Sequence, residues 1–148
     1  MLLLLIKFLK NYFLNGSSNR LSNGNWKSSK VAKNAFKSVF NAYSEQDTCK
    51  VVIIGSDCPY LTPSIMDDAS FCLEQADFVV GPTYDGGYYL LGMKIFTPNI
   101  FDDIEWSTES VFDQTIDKIK NQGSTFQLLP TLHDIDTEDD WNRYKTDH

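Results

Sequence analysis

The chain has 148 residues, of which 42% are hydrophobic and 22% are charged, and its net charge is -7. This length favours one domain, the composition is that of a globular protein, and the acidic charge argues against binding to a nucleic-acid backbone. The charge is uneven, because residues 1–50 carry eight Lys/Arg and two Asp/Glu whereas residues 51–148 carry five and eighteen. The many acids of residues 51–148 suit a site that holds a divalent cation through carboxylates. The alternative is that they form a solvated acidic surface.

The cysteines and the first residues bear on location. Cys49, Cys58 and Cys72 have no CxxC spacing, which favours a reducing cytoplasm over a disulfide framework or a structural zinc site. The chain begins MLLLLIKFLKNYF, an apolar run that is interrupted at Lys7 and is too short to span a bilayer. The run lacks the basic start and the small-residue cleavage site of a signal peptide, so a buried first strand is predicted there.

The next segments alternate between helix and strand patterns. Residues 15–30 are polar, contain two Asn-Gly pairs and are predicted to form a loop. Apolar residues recur at helical spacing over about 27–43, which predicts a helix. CKVVIIGSD has the pattern of a strand that is buried on both faces and ends at Gly55. LTPSIMDDASFCLEQA predicts a second helix, with Thr62 as N-cap and Pro63 as first residue.

The second half continues this alternation. DFVVGP and GGYYLLGMK are predicted to be two further buried strands. STESVFDQTIDKIKNQG predicts a helix that is capped near Ser107 or Thr108 and stopped by Gly123. A strand in TFQLLP and a short helix in DTEDDWNRYK complete the predicted elements. Strands that alternate with helices indicate an α/β fold with a mostly parallel sheet.

Acidic residues follow three of the predicted strands. Asp57 lies in GSDCP, Asp85 in GPTYDGGYY, and Asp134 and Asp136 in LHDIDTEDD. Ligands of open α/β sheets bind beyond the carboxyl ends of the strands, and Mg²⁺ or Mn²⁺ commonly takes one or two carboxylates together with substrate phosphates. These acids are therefore candidate metal ligands. Asp57 could instead be a turn residue before Pro59, and Asp134 or Asp136 could cap the last helix.

Two short motifs are candidates for substrate contacts. Gly86 and Gly87 in DGGYYLLG each cost roughly 0.5–1 kcal/mol relative to Ala within an element. They fit a place where a ligand closely approaches the main chain, or a tight hairpin turn, which Asp-Gly also favours. In EWST, Trp106 stands at a loop-to-helix junction where the helix N-terminus could receive an anion. The alternative for Trp106 is a hydrophobic staple on that helix.

Other catalytic patterns are weak. His133 and His148 are the only histidines, and no local spacing indicates a Ser-His-Asp or Cys-His arrangement. Cys58 has no activating cation next to it in the sequence. The phosphate-binding motifs GxxxxGK[ST] and GxGxxG do not occur.

Four segments, taken in order, resemble one bacterial family: VVIIGSDCPYLTPSIMDDA, DFVVGPTYDGGYYLLGMK, WSTESVFDQTIDKIK and LLPTLHDIDTEDDW. They are similar to the radical-SAM/selenodomain-associated glycosyltransferases, in the nucleotide-diphospho-sugar transferase (GT-A) superfamily. The resemblance covers about residues 33–141 and implies a three-layer α/β/α sandwich, with residues 1–148 forming a single domain. It implies a cytoplasmic, metal-dependent transferase that uses a nucleotide-sugar donor and a small-molecule acceptor. The alternatives are a nucleotidyltransferase that joins NTP to a phosphorylated small molecule, and a catalytically inactive remnant.

The resemblance also implies roles for individual residues. Asp57 would be a catalytic acid and a ligand of Mg²⁺ or Mn²⁺, with Asp136 as the second metal ligand and Asp134 beside it. Together with the local motifs above, it implies catalysis by Asp85, substrate binding by Gly86, Gly87, Trp106, Ser107 and Thr108, and nucleotide binding by Lys10, Arg20, Gly55 and Ser56.

The front of the chain departs from the family pattern F-x-K-N-P-x-x-G-K-x-K-T-R-L. FLKNYFLNGSSNRL keeps Phe8, Lys10, Asn11, Arg20 and Leu21 but lacks the Pro and both middle lysines. Much of the usual strand-helix-strand is also expected to be missing before the helix that precedes GSDCP. The first thirty residues are therefore expected to be an atypical or incomplete segment. Loss of phosphate-neutralising lysines there would weaken nucleotide binding.

Overall fold

The computed structural model of the chain describes residues 2–9, 12–13, 29–43 and 49–147. Within these residues the strands are β1 (Leu2–Leu9), β2 (Tyr12–Phe13), β3 (Cys49–Ile54), β4 (Phe78–Pro82), β5 (Tyr88–Met93) and β6 (Phe126–Leu128). The helices are α1 (Ser29–Ala42), α2 (Pro63–Gln75), α3 (Val111–Asn121) and α4 (Glu138–Asp147), with a 3₁₀ helix at Pro98–Phe101. The predicted alternation of strands and helices, including the first strand, is confirmed.

The strands form one mixed sheet in the order β2-β1-β3-β5-β4-β6. β1 pairs with β3 and β4 with β6 in parallel, whereas β5 is antiparallel to both of its neighbours, and β2 is antiparallel to β1. The prediction of a mostly parallel sheet is therefore wrong. Only residues 83–87 separate β4 from β5. This length suffices for a hairpin but not for the crossover of about a dozen residues that a parallel pair needs.

β1, β3, β4 and β6 nevertheless run in the same direction. Their carboxyl ends meet at one end of the sheet, which we call the carboxyl end, and their amino ends meet at the opposite, amino end. A parallel bridge between Thr83 and Leu132 continues the pairing of β4 and β6 beyond both strands. The chain after β6 is thereby brought to the carboxyl end, where Asp57 follows β3.

Helices cover both faces of the sheet because the buried side chains of β3 alternate between the two faces. Val51 and Ile53 pack in one hydrophobic cluster with residues of α1, α3 and the 3₁₀ helix. Val52 and Ile54 pack on the opposite face with residues of α2. Burial on both faces explains the unbroken apolar run of this strand. None of the helices in the described ranges has the length and apolarity needed to cross a membrane.

Helix α2 begins where the sequence predicts. Thr62 Oγ1 accepts a hydrogen bond from Ile65 N at 3.4 Å, and Pro63 is the first helical residue. The hydroxyl satisfies one backbone donor of the first turn, and the fixed φ of proline suits that position. The Thr62 cap therefore marks where the loop that carries Asp57 ends and α2 begins.

Helix α3 begins later than predicted, at Val111. Ser107 has a φ of 65°, in the left-handed region, which does not continue into a helix. Thr108 Oγ1 donates to Glu105 O at 2.6 Å and closes a turn ahead of the helix. The prediction of a cap at Ser107 or Thr108 is wrong because their side chains and backbone belong to this turn.

Candidate functional site

Three carboxylates meet at the carboxyl end of the sheet. Asp57 follows β3, and Asp134 and Asp136 lie in the segment between the bridged residue Leu132 and α4. Each carboxylate offers an oxygen that lies within 4.8 Å of the other two. These are the three acids that the sequence predicts as metal ligands, and the fold brings them together from distant parts of the chain.

Two hydrogen bonds join the segments that carry these acids. Ile135 N donates to Asp57 O at 2.7 Å. Next to it, Cys58 Sγ donates to His133 O at 3.4 Å. The first of these bonds uses the backbone carbonyl of Asp57 and not its carboxylate.

The three carboxylates fit a hard divalent cation. Two oxygens bound at about 2.1 Å to one Mg²⁺ lie about 3.0–4.2 Å apart in octahedral geometry, so small side-chain rotations suffice to bind it. Asp57 and Asp134 are half-buried and Asp136 is exposed, which leaves the group accessible from solvent. A cation would also relieve the repulsion among three like charges.

Helix α4 is capped by Thr137 and Asp140. Thr137 Oγ1 accepts from Asp140 N at 3.2 Å, and Asp140 Oδ2 accepts from Thr137 N at 2.9 Å. This reciprocal pair is a capping box, and the hydrogen bonds from Thr137 lower the pKa of Asp140. The alternative in which Asp134 or Asp136 caps the last helix is therefore wrong.

Asp85 lies in the hairpin between β4 and β5 and does not belong to the group of three acids that could hold a metal among the described residues. Its Oδ1 accepts from Thr83 Oγ1 at 2.5 Å and from Gly87 N at 3.0 Å. Thr83 N donates to Gly87 O at 3.0 Å and closes the hairpin. Asp85 thus shapes the turn, and its catalytic role stays a prediction.

Gly86 is required where the hairpin packs on the start of α3. Its φ is 85°, and a Cβ at this position would lie 2.0 Å from Glu109 O. Gly86 O also accepts from Phe112 N, in the first turn of α3, at 2.9 Å. The close approach at this glycine is made by the protein's own main chain, within a hairpin. Substrate binding by Gly86 and Gly87 stays a prediction.

The other predicted substrate-binding residues lie in the loop before α3. The ring of Trp106 stacks with that of Phe101, with centroids 6.4 Å apart and planes at 22°. Trp106 also packs against the hydrophobic cluster on the α1 and α3 face, so it anchors the loop to the core. Ser107 and Thr108 are exposed. Since the loop leads into α3 where the hairpin packs, the two groups of predicted substrate-binding residues lie side by side.

The predicted nucleotide-binding residues fall into two groups. Gly55 and Ser56 connect β3 to the first of the three acids. Gly55 is buried, and its N donates to Tyr89 O at 2.8 Å. Lys10 and Arg20 lie outside the described residues. The nucleotide-binding role of all four stays a prediction.

An aromatic group beside the three acids escapes prediction from sequence. The rings of Tyr84 and His133 stack with centroids 4.3 Å apart and planes at 26°. Tyr60 lies 6.3 Å from the His133 ring and meets Tyr144 edge-on at 5.1 Å. Arg143 donates to His133 Nδ1 at 3.4 Å. Each of the two stacked residues directly precedes a predicted acid in the sequence, but nothing in the sequence indicates that the two rings meet.

Cys58 is unsuited to be a nucleophile although it is next to the acids. Burial raises the pKa of its thiol to about 12, and the negative charges of Asp134 and Asp57 act in the same direction. The thiol is therefore protonated at neutral pH, and the thiolate is the reactive form. Cys58 and Cys72 are both free and buried.

Comparisons with known proteins place the chain in a family. The family described as "Uncharacterized protein conserved in bacteria (DUF2064)" matches residues 30–108, more than half of the chain. The chain belongs to this family. No functionally curated protein matches it.

The fold of this DUF2064 member is similar to that of a crystal structure at 1.90 Å resolution of a protein from Desulfovibrio desulfuricans G20, described as a "putative nucleotide-diphospho-sugar transferase". The TM-score is 0.71 and the sequence identity is 32%. The match covers 80% of this chain and 51% of that protein, so the chain spans about half of its length. The predicted relation to nucleotide-diphospho-sugar transferases is confirmed at the level of similarity. The narrower relation to radical-SAM/selenodomain-associated glycosyltransferases stays a prediction.

Proposed function

We propose that this DUF2064 chain is part of a glycosyltransferase-like enzyme that uses Mg²⁺ or Mn²⁺, a nucleotide-sugar donor and a small-molecule acceptor. The observation that carries the proposal is the convergence of Asp57, Asp134 and Asp136, whose oxygens lie within 4.8 Å of one another. The 32% identity and the fold shared with the Desulfovibrio protein support the substrate class. The free, buried thiols of Cys58 and Cys72 support the predicted cytoplasmic location.

The three carboxylates would hold the cation. A divalent cation bound there would neutralise the negative charge that develops on the leaving diphosphate. The hairpin 83–87 and the loop 106–108, which both adjoin the start of α3, would receive the sugar and the acceptor. Asp85 would accept the proton of the acceptor hydroxyl, since its carboxylate is exposed and is oriented by the turn bonds to its Oδ1.

Thermal unfolding in the presence of Mn²⁺ and nucleotides tests the proposal. We expect Mn²⁺ together with a nucleoside diphosphate or a nucleotide-sugar to raise the Tm, because a ligand that binds only the folded state stabilises it. Asp57→Asn should remove this shift. Asp67→Asn is the matched control, since Asp67 is an exposed acid of α2. If no ligand raises the Tm of the unmodified chain, the proposal is contradicted and the alternative of a catalytically inactive remnant is favoured.

The released product distinguishes the proposed transferase from the nucleotidyltransferase alternative. We expect release of a nucleoside diphosphate from a nucleotide-sugar, measured by coupled assay or chromatography. Release of pyrophosphate from NTP and a sugar phosphate would instead support nucleotidyl transfer. Asp134→Asn and Asp136→Asn should lower whichever activity is found, because both reactions place a diphosphate against the cation.

A further inference from the structure

Tyr84 exposes most of a large aromatic ring in a part of the chain with a well-defined backbone. Its side chain is 66% exposed. Its N donates to Leu132 O at 3.2 Å, and the neighbouring Gly86 N donates to Thr83 O at 3.2 Å. One face of the ring stacks on His133 at 4.3 Å. With that face covered and the exposure so high, the opposite face of the ring is open to solvent.

His133 packs against one face of this ring and makes further contacts of its own. Its backbone O accepts from Cys58 Sγ at 3.4 Å, and its Nδ1 accepts from Arg143 at 3.4 Å. A guanidinium only donates, so Nδ1 is the acceptor in this contact. Tyr60 lies against the imidazole with ring centroids 6.3 Å apart. Arg143 and Tyr60 therefore flank the imidazole in the orientation in which it stacks on Tyr84.

The stacked pair adjoins both parts of the proposed site. His133 directly precedes Asp134, and neighbouring Cα atoms are about 3.8 Å apart. Tyr84 directly precedes Asp85 in the hairpin that is proposed to face the sugar and the acceptor. The backbone positions that carry the stacked pair and the acids therefore adjoin one another, as the bonds from Tyr84 N to Leu132 O and from Ile135 N to Asp57 O also show.

We infer that the exposed face of Tyr84 is a stacking platform for a ring of the phosphate-bearing ligand, either its nucleobase or its sugar. The inference rests on the proposed function and adds a positioning residue to it. A nucleobase would extend the existing Tyr84–His133 stack as a further flat ring, in the offset-stacked geometry that aromatic rings prefer, whereas a sugar would place its apolar C–H face on the tyrosine ring. Because Tyr84 is preorganised by its backbone bonds and by His133, little side-chain entropy is lost when the ligand binds.

Titration calorimetry with Tyr84→Ala and Tyr84→Phe tests the platform. We expect Tyr84→Ala to weaken binding of the Mn²⁺-loaded ligand whose ring stacks, either a nucleoside diphosphate (UDP, GDP, CDP or ADP) or UDP-glucose; for a nucleobase the loss should be about 5- to 150-fold, the effect of removing one base–aromatic stack. Tyr84→Phe keeps the ring and should retain the affinity. Affinity for Mn²⁺ alone should be equal in all variants. Phe71→Ala is the matched control, since Phe71 is also 66% exposed but lies in α2.

The ligand series separates the two rings and the two hypotheses. If the base stacks, Tyr84→Ala weakens the nucleoside diphosphates; if the sugar stacks, it weakens UDP-glucose and glucose 1-phosphate and leaves the nucleoside diphosphates unchanged. If Tyr84→Ala and the unmodified chain bind all of these ligands with equal affinity, the stacking role of Tyr84 is wrong and the proposed function is unaffected. Failure of the unmodified chain to bind Mn²⁺ and these ligands would overturn both.

Discussion

The two ends of the sheet use carboxylates in different ways. At the amino end, Asp77 precedes β4 and Thr125 precedes β6, and Asp77 Oδ2 accepts from Thr125 N at 2.8 Å and from Thr125 Oγ1 at 2.7 Å. At the carboxyl end, Asp57, Asp134 and Asp136 bring oxygens within 4.8 Å of one another. One acid joins two strands by hydrogen bonds, whereas the other three concentrate negative charge.

This difference separates an acid that stabilises the fold from acids that suit a ligand. Backbone and side-chain hydrogen bonds from Thr125 lower the pKa of Asp77, so its charged form stabilises the folded state. Three neighbouring carboxylates repel one another when they are charged, and a bound cation would offset that repulsion. The hydrogen-bond partners of an acid, more than its position at a strand end, therefore indicate its role, since Asp85 also follows a strand at the carboxyl end but is bonded within its turn.

The largest effect is expected from Asp57→Asn. Loss of one of the three proposed carboxylate ligands should weaken Mn²⁺ binding by more than about 100-fold, since even outer-shell partners of metal sites contribute 10–100-fold. Without metal, the Tm should stay equal or rise because repulsion with Asp134 and Asp136 is relieved. Electron paramagnetic resonance of Mn²⁺ and thermal unfolding measure the two quantities. A large drop in Tm without metal would show that Asp57 is a structural acid, as Asp77 is.

Next in size is the effect of Gly86→Ala on stability. The free energy of unfolding should fall by about 2–3 kcal/mol, because the positive φ is strained for Ala and a Cβ would overlap Glu109 O. Gly123→Ala is the matched control: its φ is 76°, and nothing lies within 4 Å of the added Cβ. That variant should lose only about 1 kcal/mol. Equal losses in urea unfolding would contradict the packing of the hairpin on α3.

A smaller loss is expected for Asp77→Asn, at the amino end. Replacing charge-assisted hydrogen bonds by neutral ones should cost about 1 kcal/mol at pH 7 with no change in Mn²⁺ affinity. The folded-state pKa lies below the ordinary 3.8, so this contribution is present above that pH and is lost as the pH falls through the folded-state value. Urea unfolding from pH 7 down to pH 3 should show the two proteins converging. A constant difference would contradict the assigned cause.

The smallest expected effect is on the reactivity of the Cys58 thiol, which is buried and lies next to Asp57 in the sequence. With a pKa of about 12, it should resist alkylation by iodoacetamide at pH 8 in the native state and react readily in urea. Unfolding releases the thiol to ionise above its ordinary value of 9.0, so stability should fall as the pH rises beyond 9. Mass spectrometry measures the labelling. Fast labelling of the native protein would contradict the burial of this thiol at the carboxyl end.

The local order of apolar, polar and capping residues predicts most of the helices and strands. This order reflects which side chains of a segment are buried and where a helix is capped. The apolar run before Gly55 indicates a strand that is buried on both faces, and the Thr62-Pro63 pair marks the start of α2. The start of α3 was missed because the positive φ of Ser107 is not encoded in residue spacing. The hairpin alternative for Asp85-Gly86-Gly87 is the one that the structure has, and the sheet direction was missed because the alternation of strands and helices was given more weight than this local signal.

By itself, the sequence determined the strands, the helices and the acids that follow the strands, since these depend on near neighbours in the chain. Only the tertiary structure decided which acids meet. The bridge between Thr83 and Leu132 and the bond from Ile135 N to Asp57 O bring together residues that are far apart in the chain, and Asp85 remains outside the cluster. The same long-range pairing of β4 with β6 stacks Tyr84 on His133, which no local pattern encodes, because stacking depends on backbone positions that only the assembled sheet fixes.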